Sequence, residues 1–440
     1  MSDHAGAVPS RATFRGVFAV PEFRALWFAL VLSVAGDRIA LVALTLLVYD
    51  RSRSPLLAAA TYAAGYLPWV VGGLFLADIA DRRPRRAVMV ACDAARAVLV
   101  AAMTLPGVPV GALVALLFAA TMFAPPFESA RASITPDILS GERYALGTAV
   151  IQTTFLAADV AGAACGGLAV ALAGVRPALG IDAATFAASA LLIRLGTRAR
   201  PAAAQAAGSP LARAAAGLRL VFGDRALRTL LLFGWLVVFY TVPQGVAAPY
   251  AARLGGGPVA TGLVLASTSA ATMVATPLFS RFVRPRRRLA LMGPLATATC
   301  AALMLTALRP GLAMSLVVFS ASAAFGAYQL AANTAFVAQV PNQRRAQAFG
   351  IANMGVIVGQ GAGFVAAGAA AQVVTPAAVI AVAGGIGAVA ALALTLRWRR
   401  VSPPGGRHAA PRRPARAAPR GAKPVPLTGS RQPRRLAGPV

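Results

Sequence analysis

The hydrophobic residues of the chain form twelve apolar stretches of about 20 residues, the length that spans the hydrocarbon core of a bilayer as a helix. The stretches are continuous, without the apolar-polar alternation of barrel strands, which favours helices. We number them spans 1 to 12 in chain order. They cover 26–49, 56–80, 87–106, 109–127, 146–173, 177–196, 228–251, 259–280, 289–308, 311–337, 346–373 and 376–396. The pattern predicts an all-α membrane protein with 12 transmembrane helices in two bundles of six.

The basic residues alternate between the two ends of these spans. Of the 42 Lys and Arg residues, 12 follow Leu396, and most of the others lie in every second gap between spans. The intervening gaps hold five, which are Arg51, Arg53, Arg176, Arg253 and Arg309. Because basic loops stay in the cytoplasm during insertion, we expect both termini to be cytoplasmic.

Composition agrees with a membrane protein. Hydrophobic residues make up 58% of the chain and charged residues 12%, about half the charged share of an average soluble protein. A net charge of +29 would suggest nucleic acid as the partner of a soluble protein. Here the basic loops and the arginine-rich C-terminal segment account for it, so we expect contact with the lipid bilayer and none with nucleic acid. The three cysteines all fall in spans, and their spacing predicts neither disulfides nor a zinc site.

The spans divide the chain into five segments. We expect a cytoplasmic N-terminal segment, a six-helix bundle, a cytoplasmic linker with an amphipathic helix on the inner membrane surface, a second six-helix bundle and a basic tail. In that order they cover residues 1–25, 26–196, 197–227, 228–396 and 397–440. The tail is rich in arginine and proline and has too few apolar residues to form a core, so we expect it to be disordered.

The loop between spans 2 and 3 carries an acidic residue followed by a cluster of arginines. Its sequence is Ala77-Asp78-Ile79-Ala80-Asp81-Arg82-Arg83-Pro84-Arg85-Arg86. It resembles the cytoplasmic signature loop of the major facilitator superfamily, Gly-x-x-x-Asp-Arg-x-x-Arg-Arg, with Ala77 in place of the leading glycine. The resemblance implies a carboxylate held by arginines that latches the cytoplasmic side in one state. The residues of this latch would be Asp81, Arg82, Arg85 and Arg86; the alternative is a plain basic loop.

Further segments resemble one branch of that superfamily, which contains macrolide efflux proteins and enterobactin exporters. They are Gly36-Asp37, Asp93-Ala94-Ala95-Arg96, Pro126-Phe127, Pro136-Asp137, 182–186, Gly217-Leu218-Arg219 and Leu227-Arg228. Residues 162–167 in span 5 resemble the antiporter motif Gly-Pro-x-x-Gly-Gly, with Ala163 in place of the proline. The resemblance covers residues 22–396. It implies a secondary active transporter of the bacterial plasma membrane that works by alternating access.

All 13 acidic residues lie at or before Asp224, so a carboxylate that couples transport to protons must lie in the N-terminal half. Charged groups inside spans are rare and usually functional. The candidates for protonation are Asp37 midway along span 1, which is the first choice, Asp159 in span 5 and Asp93 in span 3. For Asp37 and Asp93, a structural ion pair is the alternative interpretation.

Two arginines within the spans can pair with these carboxylates. Arg38 lies about 100° around the helix from Asp37, so their side chains do not naturally face each other. Asp93 and Arg96 are three residues apart on one helical face, so we expect them to form a structural or gating pair. If Asp37 is structural, its partner is Arg38 or Arg96.

Two other carboxylates are expected to be structural. Asp182 lies near the outer end of span 6, where water would solvate it. Glu128 lies at the inner end of span 4 and would serve the adjoining loop.

Polar and aromatic residues near the middle of several spans are candidates for substrate contact. Span 7 breaks at Pro243-Gln244-Gly245, and interrupted helices often mark the binding site of a transporter. The candidates are Gln152, Tyr240, Gln244, Tyr328, Gln329 and Asn333. Each could equally form polar contacts between helices. A cavity that is mostly apolar favours amphipathic organic substrates.

These observations favour proton-coupled efflux of a hydrophobic or amphipathic small molecule, such as a drug, an antibiotic or a siderophore-like compound. Uptake or lipid translocation by the same fold is one alternative, and a sensor or scaffold that does not transport is another. The chain has no phosphate-binding glycine loop, no cluster of metal ligands and no histidine within a span. We therefore expect no enzymatic activity, no catalytic residues, no metal and no cofactor, and we expect a monomer.

Overall fold

The structure is a computed structural model that describes residues 13–72, 83–200, 210–341 and 344–401. The described residues form helices joined by loops, and no strand occurs among them. Within the described part of the chain, ten helices are long and apolar enough to cross a membrane. The chain is therefore an all-α membrane protein, whereas the count of twelve spans and the side on which the termini lie stay predictions.

The helices of the N-terminal half lie where the apolar pattern places spans 1 to 6. They are Pro21–Ser52 for span 1, Pro55–Ala64 and 68–72 for span 2, Arg85–Met103 for span 3, Val110–Met122 and Ala124–Ile138 for span 4, Glu142–Ala173 for span 5 and Val175–Gly196 for span 6. A short helix, Phe14–Phe18, precedes them. The helix of span 3 is not among the ten that are apolar enough to cross a membrane, and it carries four charged residues, Arg85, Arg86, Asp93 and Arg96.

The C-terminal half repeats this arrangement in spans 7 to 12. The helices are Arg225–Trp235, Val237–Tyr240, Val242–Gly245 and Ala247–Arg253 for span 7, Pro258–Phe282 for span 8, Pro285–Leu303 with the 3₁₀ helix Met304–Leu308 for span 9, Leu312–Phe325 and Tyr328–Gln339 for span 10, Arg345–Val373 for span 11 and Pro376–Val401 for span 12. Span 7 is the most interrupted of these, as the sequence predicts from Pro243 and Gly245.

Most helices begin earlier in the chain than the apolar stretches that predict them. Proline stands at the first position of five of the span helices, where its missing N–H removes no helical hydrogen bond. These prolines are Pro21, Pro55, Pro258, Pro285 and Pro376. The helix of span 1 has 32 residues and is about 48 Å long, so it extends beyond a hydrocarbon core of about 30 Å. A pattern that counts only apolar residues therefore does not detect the polar ends of this helix.

Each half packs around its own interior. Span 1 packs against spans 5 and 6, and span 6 also packs against span 3. In the other half, span 9 packs against spans 10 and 12. One apolar cluster runs through both halves and includes Leu44, Tyr62, Phe186, Phe319 and Phe364.

The two halves contact each other where span 5 packs against span 8 and span 2 packs against span 11. We call the end of the bundles that carries the gaps poor in basic residues the arginine-poor end. At this end, a Cβ atom on Gly167 would lie only 2.5 Å from the carbonyl oxygen of Pro258. Nearby, Nε2 of Gln372 donates a hydrogen bond of 3.1 Å to Oγ of Ser54. The bundles are thus in direct contact at the arginine-poor end.

A helix, Pro210–Gly223, forms within the segment expected to link the halves. Val221 is fully buried against the C-terminal bundle, and Gly217 lies against Gln347 and Ile351 of span 11. Phe222 on the same helix is exposed. Part of the apolar surface expected to face the membrane therefore packs against protein, and the placement on the inner membrane surface stays a prediction.

Candidate functional site

A cavity of about 220 Å³ lies between the two bundles, near the middle of the spans. Span 5 forms one wall, and spans 7 to 10 form the other. The lining residues are Leu156, Asp159, Val237, Tyr240, Thr241, Pro243, Gln244, Thr268, Ser269, Thr272, Leu303, Phe319 and Ala323. Asp159 is the charged member of this set, and the other members are apolar or carry a hydroxyl or amide group.

Asp159 connects the two bundles at the cavity wall. Its Oδ1 atom lies 2.8 Å from Nε of Arg38 in span 1. Its Oδ2 atom accepts a hydrogen bond of 2.5 Å from the hydroxyl of Ser269 in span 8. About a third of each charged side chain is exposed. The carboxylate predicted from its depth in span 5 therefore lies at the boundary between the bundles and faces the cavity.

A smaller cavity of about 20 Å³ shares Asp159, Gln244 and Ser269 with the larger one. The other residues that line it are Arg38, Leu41, Val42, Tyr62, Tyr66, Ala163 and Leu265. The rings of Tyr62 and Tyr66 lie 5.2 and 5.4 Å from that of Phe364 in span 11. Arg38 thus lines the smaller cavity beside Asp159. Aromatic rings fill the space between spans 2 and 11.

The glycines of the antiporter-like motif bring span 5 close to its neighbours. A Cβ atom on Gly162 would lie 2.6 Å from Cβ of Arg38, and one on Gly166 would lie 3.1 Å from Cα of Ile39. Gly167 faces span 8 instead, as described above. Because glycine has no side chain at these positions, span 5 contacts span 1 and span 8 at once. The helix of span 5 continues through Ala163, where the motif has proline.

The interruption of span 7 places two predicted substrate residues in the cavity wall. Tyr240 lies at the end of one short helix, and Gln244 lies in the next. Gln244 Nε2 donates a hydrogen bond of 3.2 Å to Oγ1 of Thr268. Proline offers no N–H group and cannot continue a regular helix, so the break at Pro243 turns these polar groups toward the cavity.

Tyr328 and Gln329 form hydrogen bonds with the interrupted part of span 7 and do not line the cavity. Tyr328 is fully buried, and its hydroxyl donates a hydrogen bond of 2.9 Å to the carbonyl oxygen of Phe233. Gln329 Nε2 donates to the carbonyl oxygen of Gly234 at 3.0 Å and to the Tyr240 hydroxyl at 3.2 Å. Neither residue lines the cavity, so their geometry matches the alternative of polar contacts between helices.

The other two substrate candidates also lie outside the cavity lining. Gln152 is exposed on span 5, about two turns from Asp159. Asn333 is exposed on span 10. The structure therefore brings two of the six polar candidates, Tyr240 and Gln244, to the cavity.

A second group of charged residues lies inside the N-terminal bundle. Arg96 binds both carboxylate oxygens of Asp37, so the partner of Asp37 is Arg96 and not Arg38. The guanidinium carbon of Arg96 also lies 4.0 Å from the ring centre of Phe186. The expected Asp93–Arg96 pair is present but long, at 3.8 Å between Nη1 and Oδ1, and Ser189 donates its hydroxyl proton to Asp93 at 2.5 Å.

The expectation that water solvates Asp182 is wrong. The residue is 1% exposed, and its carboxylate lies directly against Gly36 of span 1. The packing of span 1 against span 6 buries this carboxylate, and position along the chain alone does not reveal this.

The described part of the signature loop binds the ends of spans 4 and 6. Arg85 forms an ion pair with Asp137 and donates a hydrogen bond of 2.8 Å to the carbonyl oxygen of Ser133. Arg86 donates to the carbonyl oxygen of Thr197 at 3.0 Å. Asp81 and Arg82 lie outside the described residues, so their role in a latch stays a prediction.

At the inner end of span 4, Glu128 pairs with Arg131 within one helix. The Glu128–Arg131 and Arg85–Asp137 pairs show the limit of what the sequence predicts. Asp137 stands within a segment that carries the family resemblance, but its partner cannot be read from the chain. Ser269, Thr268 and Thr241 gave no signal, because small hydroxyl residues are common in membrane helices.

Comparison with known families agrees with this architecture. The sequence pattern of the Major Facilitator Superfamily matches residues 26–327 and 244–436. The chain belongs to the major facilitator superfamily. The resemblance drawn from the signature loop is thereby confirmed, and the protein is a multi-pass integral membrane protein of that superfamily.

Curated relatives within the superfamily include multidrug efflux pumps named Tap. The pump of Mycobacterium tuberculosis (strain ATCC 25618 / H37Rv) is 29% identical over 236 residues, which cover 51% of this chain and 56% of the relative. The pump of Mycolicibacterium fortuitum is 30% identical over 215 residues, 46% of this chain and 53% of the relative. The chain thus spans about half the length of the curated relatives it matches.

Solved structures share the fold at low sequence identity. A bacterial homologue of the human lysosomal transporter Spinster, in an inward-facing and unoccupied conformation, has a TM-score of 0.62 and 17% identity, covering 88% of this chain and 95% of that one. The nucleoside transporter NupG has a TM-score of 0.66 and 15% identity, covering 86% and 99%. A POT family transporter reaches 0.69 at 12% identity, covering 90% and 99%. These likenesses establish the arrangement of helices and nothing about substrate.

Proposed function

We propose that the protein exports a hydrophobic or amphipathic small molecule across the bacterial plasma membrane in exchange for protons, by alternating access of its two bundles to either side. The observation that carries this proposal is the position of Asp159. It is a carboxylate on the cavity wall that holds an arginine of its own bundle and a hydroxyl group of the other bundle.

Protonation of Asp159 links the charge of the cavity to the contact between bundles. A neutral carboxylic acid no longer attracts Arg38 as an ion, and its oxygen accepts the Ser269 hydrogen bond less strongly than a carboxylate does. The proton therefore weakens a contact across the bundle boundary at the place where a substrate would bind. Such a differential interaction is what a coupling ion needs in order to shift a two-state equilibrium.

The chemistry of the cavity supports an amphipathic substrate. Leu156, Val237 and Phe319 offer apolar surface, while Tyr240 and Gln244 offer hydrogen bonds. Few fixed polar groups in an apolar wall orient a ligand without selecting one structure closely. The names of the Tap relatives, which are multidrug efflux pumps, support export of compounds of this kind.

In the proposed cycle, substrate enters from the cytoplasm while the bundles are in contact at the arginine-poor end. The bundles then rock, and a proton from outside binds a carboxylate of the N-terminal half and promotes release of the substrate. Loss of that proton to the cytoplasm resets the transporter. Asp159 faces the cavity, whereas Asp37 and Asp93 lie with Arg96 inside the bundle and are the further protonation candidates.

The remaining roles follow from the same cycle. Arg38 and Arg96 hold the carboxylates between proton transfers, and Arg85 and Arg86 attach the signature loop to spans 4 and 6. Asp81 and Arg82 would complete a cytoplasmic latch. The protein works as a monomer in the bilayer, without a cofactor or a bound nucleic acid, and it carries out transport rather than an enzymatic reaction.

The experiment is accumulation of a fluorescent drug in an efflux-deficient bacterial host, with and without a protonophore. Wild type is compared with Asp159→Asn and Asp37→Asn, and Asp50→Asn is the matched control because its carboxylate is 74% exposed at the arginine-poor end. We expect wild type and Asp50→Asn to lower accumulation, and both the protonophore and Asp159→Asn to abolish the effect.

Each other outcome contradicts a defined part of the proposal. Raised accumulation with wild type indicates uptake, and an effect that survives the protonophore indicates another driving force. Full activity of correctly inserted Asp159→Asn removes this residue from coupling, and the same result for Asp37→Asn removes Asp37. Unchanged accumulation across a broad set of amphipathic drugs favours a sensor or scaffold.

A further inference from the structure

Asp182 occupies an unusual place in the interior of the N-terminal bundle. It lies in span 6 and is 1% exposed. Its Oδ1 atom accepts a hydrogen bond of 3.3 Å from the hydroxyl of Thr185, one turn away. Its Oδ2 atom is buried and has no hydrogen-bond donor among the described residues. A carboxylate this deep in protein needs either a cation or a proton to remain there.

Spans 1, 3 and 5 pack against span 6, and the charged groups that act on Asp182 come from spans 1 and 3. Span 1 contributes Asp37, and span 3 contributes Asp93 and Arg96. Arg38, also on span 1, turns away and binds Asp159. Three carboxylates therefore lie around one guanidinium group.

Arg96 is already engaged by the other two acids. One of its terminal nitrogens binds both oxygens of Asp37, and the other lies 3.8 Å from Asp93 and 3.3 Å from the Ser33 hydroxyl. Among the described residues, no cation lies within ion-pair distance of Asp182. Asp182 is thus the acid of this cluster that lacks compensation, and a neutral carboxyl group is far easier to bury there than an unpaired charge.

We propose that Asp182 is a proton-binding site, a neutral carboxylic acid in the state described here, which exchanges its proton with Asp37 through a movement of Arg96. When Arg96 turns from Asp37 to Asp182, the O–H bond on Asp182 breaks and an O–H bond forms on Asp37. Arg96 stays charged, and the net charge of the cluster does not change.

This exchange gives the buried proton a route out of the bundle. The Asp37 side chain is 42% exposed, whereas Asp182 is enclosed. Asp37 is therefore the position at which the proton is gained or lost, and Asp182 is the position at which it is held. The part of this inference that concerns transport rests on the proposed function, but the protonation of Asp182 does not.

Infrared spectroscopy of the full chain in lipid nanodiscs tests the proton directly. A buried carboxylic acid shows a carbonyl stretch that a carboxylate lacks. We expect this band at neutral pH in wild type and in Asp93→Asn, and its loss in Asp182→Asn. Because Asn has the shape of the neutral acid, Asp182→Asn should also keep the thermal stability of wild type. A band that persists in folded Asp182→Asn, or no band in wild type, would overturn the inference.

A second variant keeps the inference testable if Asp182→Asn does not fold. Asp182→Glu carries the same group on a longer side chain, so the band should shift in position without vanishing. An unshifted band in folded Asp182→Glu assigns the proton to another residue.

Transport measurements separate this inference from the proposed function. We expect Asp182→Asn to bind a fluorescent drug like wild type in the absence of a gradient, but to lose accumulation driven by a pH gradient. Gradient-driven accumulation at the wild-type rate in Asp182→Asn contradicts the role in exchange. If wild type shows the infrared band but moves no drug, the proton site stands and the proposed function fails.

Discussion

The two bundles have the same arrangement of helices but opposite chemistry in their interiors. The N-terminal bundle places Arg38, Arg96 and their carboxylate partners within its spans. The C-terminal half of the chain, after Asp224, has no acidic residue at all. Its described interior contacts join neutral groups, such as the hydroxyls of Tyr250 and Ser315 at 2.6 Å.

Under the proposed function, this difference gives the two bundles distinct tasks. Ion pairs change when a proton binds, because protonation removes one of the two charges. Hydrogen bonds between neutral hydroxyl, amide and carbonyl groups do not change near neutral pH. The N-terminal bundle can therefore respond to a proton, whereas the C-terminal bundle supplies a fixed wall with the interrupted span 7. Ser269 donating to Asp159 is a point at which the fixed wall contacts the responsive one.

The largest effect on stability is expected when the cluster of Asp37, Asp93 and Arg96 in the N-terminal bundle loses Arg96. Arg96→Gln removes the cation from Asp37, which is partly exposed, and from Asp93, which is fully buried. Leaving a buried charge such as that of Asp93 unpaired lowers the free energy of unfolding by about 3–5 kcal/mol. Thermal unfolding of the detergent-purified protein measures it. The double variant Arg96→Gln/Asp93→Asn should recover part of the loss, because it removes the fully buried carboxylate. Wild-type stability of the single variant contradicts the view that this cluster depends on its charges.

A second effect concerns the contact between the bundles. Gly167→Val places a side chain against the carbonyl oxygen of Pro258, and such overpacking typically costs about 1–3 kcal/mol. We expect the bundles to separate at the arginine-poor end and transport to fall. Maleimide labelling of Ser54→Cys in a Cys165→Ser background reports the separation, since Ser54 lies in that contact.

The matched control for this prediction is Gly180→Val in span 6. A Cβ atom at Gly180 would meet no atom within 4 Å, so this change adds the same side chain without a clash. Labelling should rise at least about fivefold for Gly167→Val, as about 1 kcal/mol predicts, and should not rise for Gly180→Val. Equal labelling of both variants means that Gly167 does not hold the bundles together.

A smaller effect is expected at the hydrogen bond from Ser269 to Asp159, which joins the C-terminal bundle to the N-terminal bundle. Ser269→Ala removes the donor to Asp159 without changing any charge, and a single hydrogen bond contributes about 1 kcal/mol. Gradient-driven transport should change about fivefold and should not be abolished. Ser267→Ala, two residues earlier on span 8, is the control, because that hydroxyl bonds to a carbonyl oxygen of its own helix. A complete loss in Ser269→Ala would mean that the hydroxyl itself carries the coupling.

Much of the fold follows from the sequence because the bilayer imposes a simple rule. Apolar length predicts the spans, and Pro243 with Gly245 predicts the interruption of span 7. The charges within the spans could also be found, since a carboxylate such as Asp159 is conspicuous among apolar residues. The lengths of the helices beyond the apolar core were not predictable from hydrophobicity.

The ion-pair partners of the charged residues within the spans were harder to predict than the positions of these residues. Helical spacing suggested Asp93 for Arg96, but Arg96 binds Asp37 of another helix more closely, because packing between spans decides which acid is nearest. Asp182 was assigned to solvent from its place near a span end, and the surrounding helices bury it. The cavity wall on the C-terminal side consists of neutral residues, which carry no distinctive signal in one sequence.

The smallest effect tests the fixed character of the C-terminal bundle. Tyr328→Phe removes one hydrogen bond to the carbonyl oxygen of Phe233, and such bonds within membranes contribute about 0.6 kcal/mol on average and at most about 1.7 kcal/mol. We expect a slightly lower unfolding midpoint and unchanged affinity for a fluorescent drug, because Tyr328 is fully buried outside the cavity. Tyr250→Phe, which loses its contact with Ser315, should behave alike. A Tyr328→Phe variant with normal stability but altered drug affinity would instead place Tyr328 at the substrate, and the C-terminal wall would then rearrange during transport.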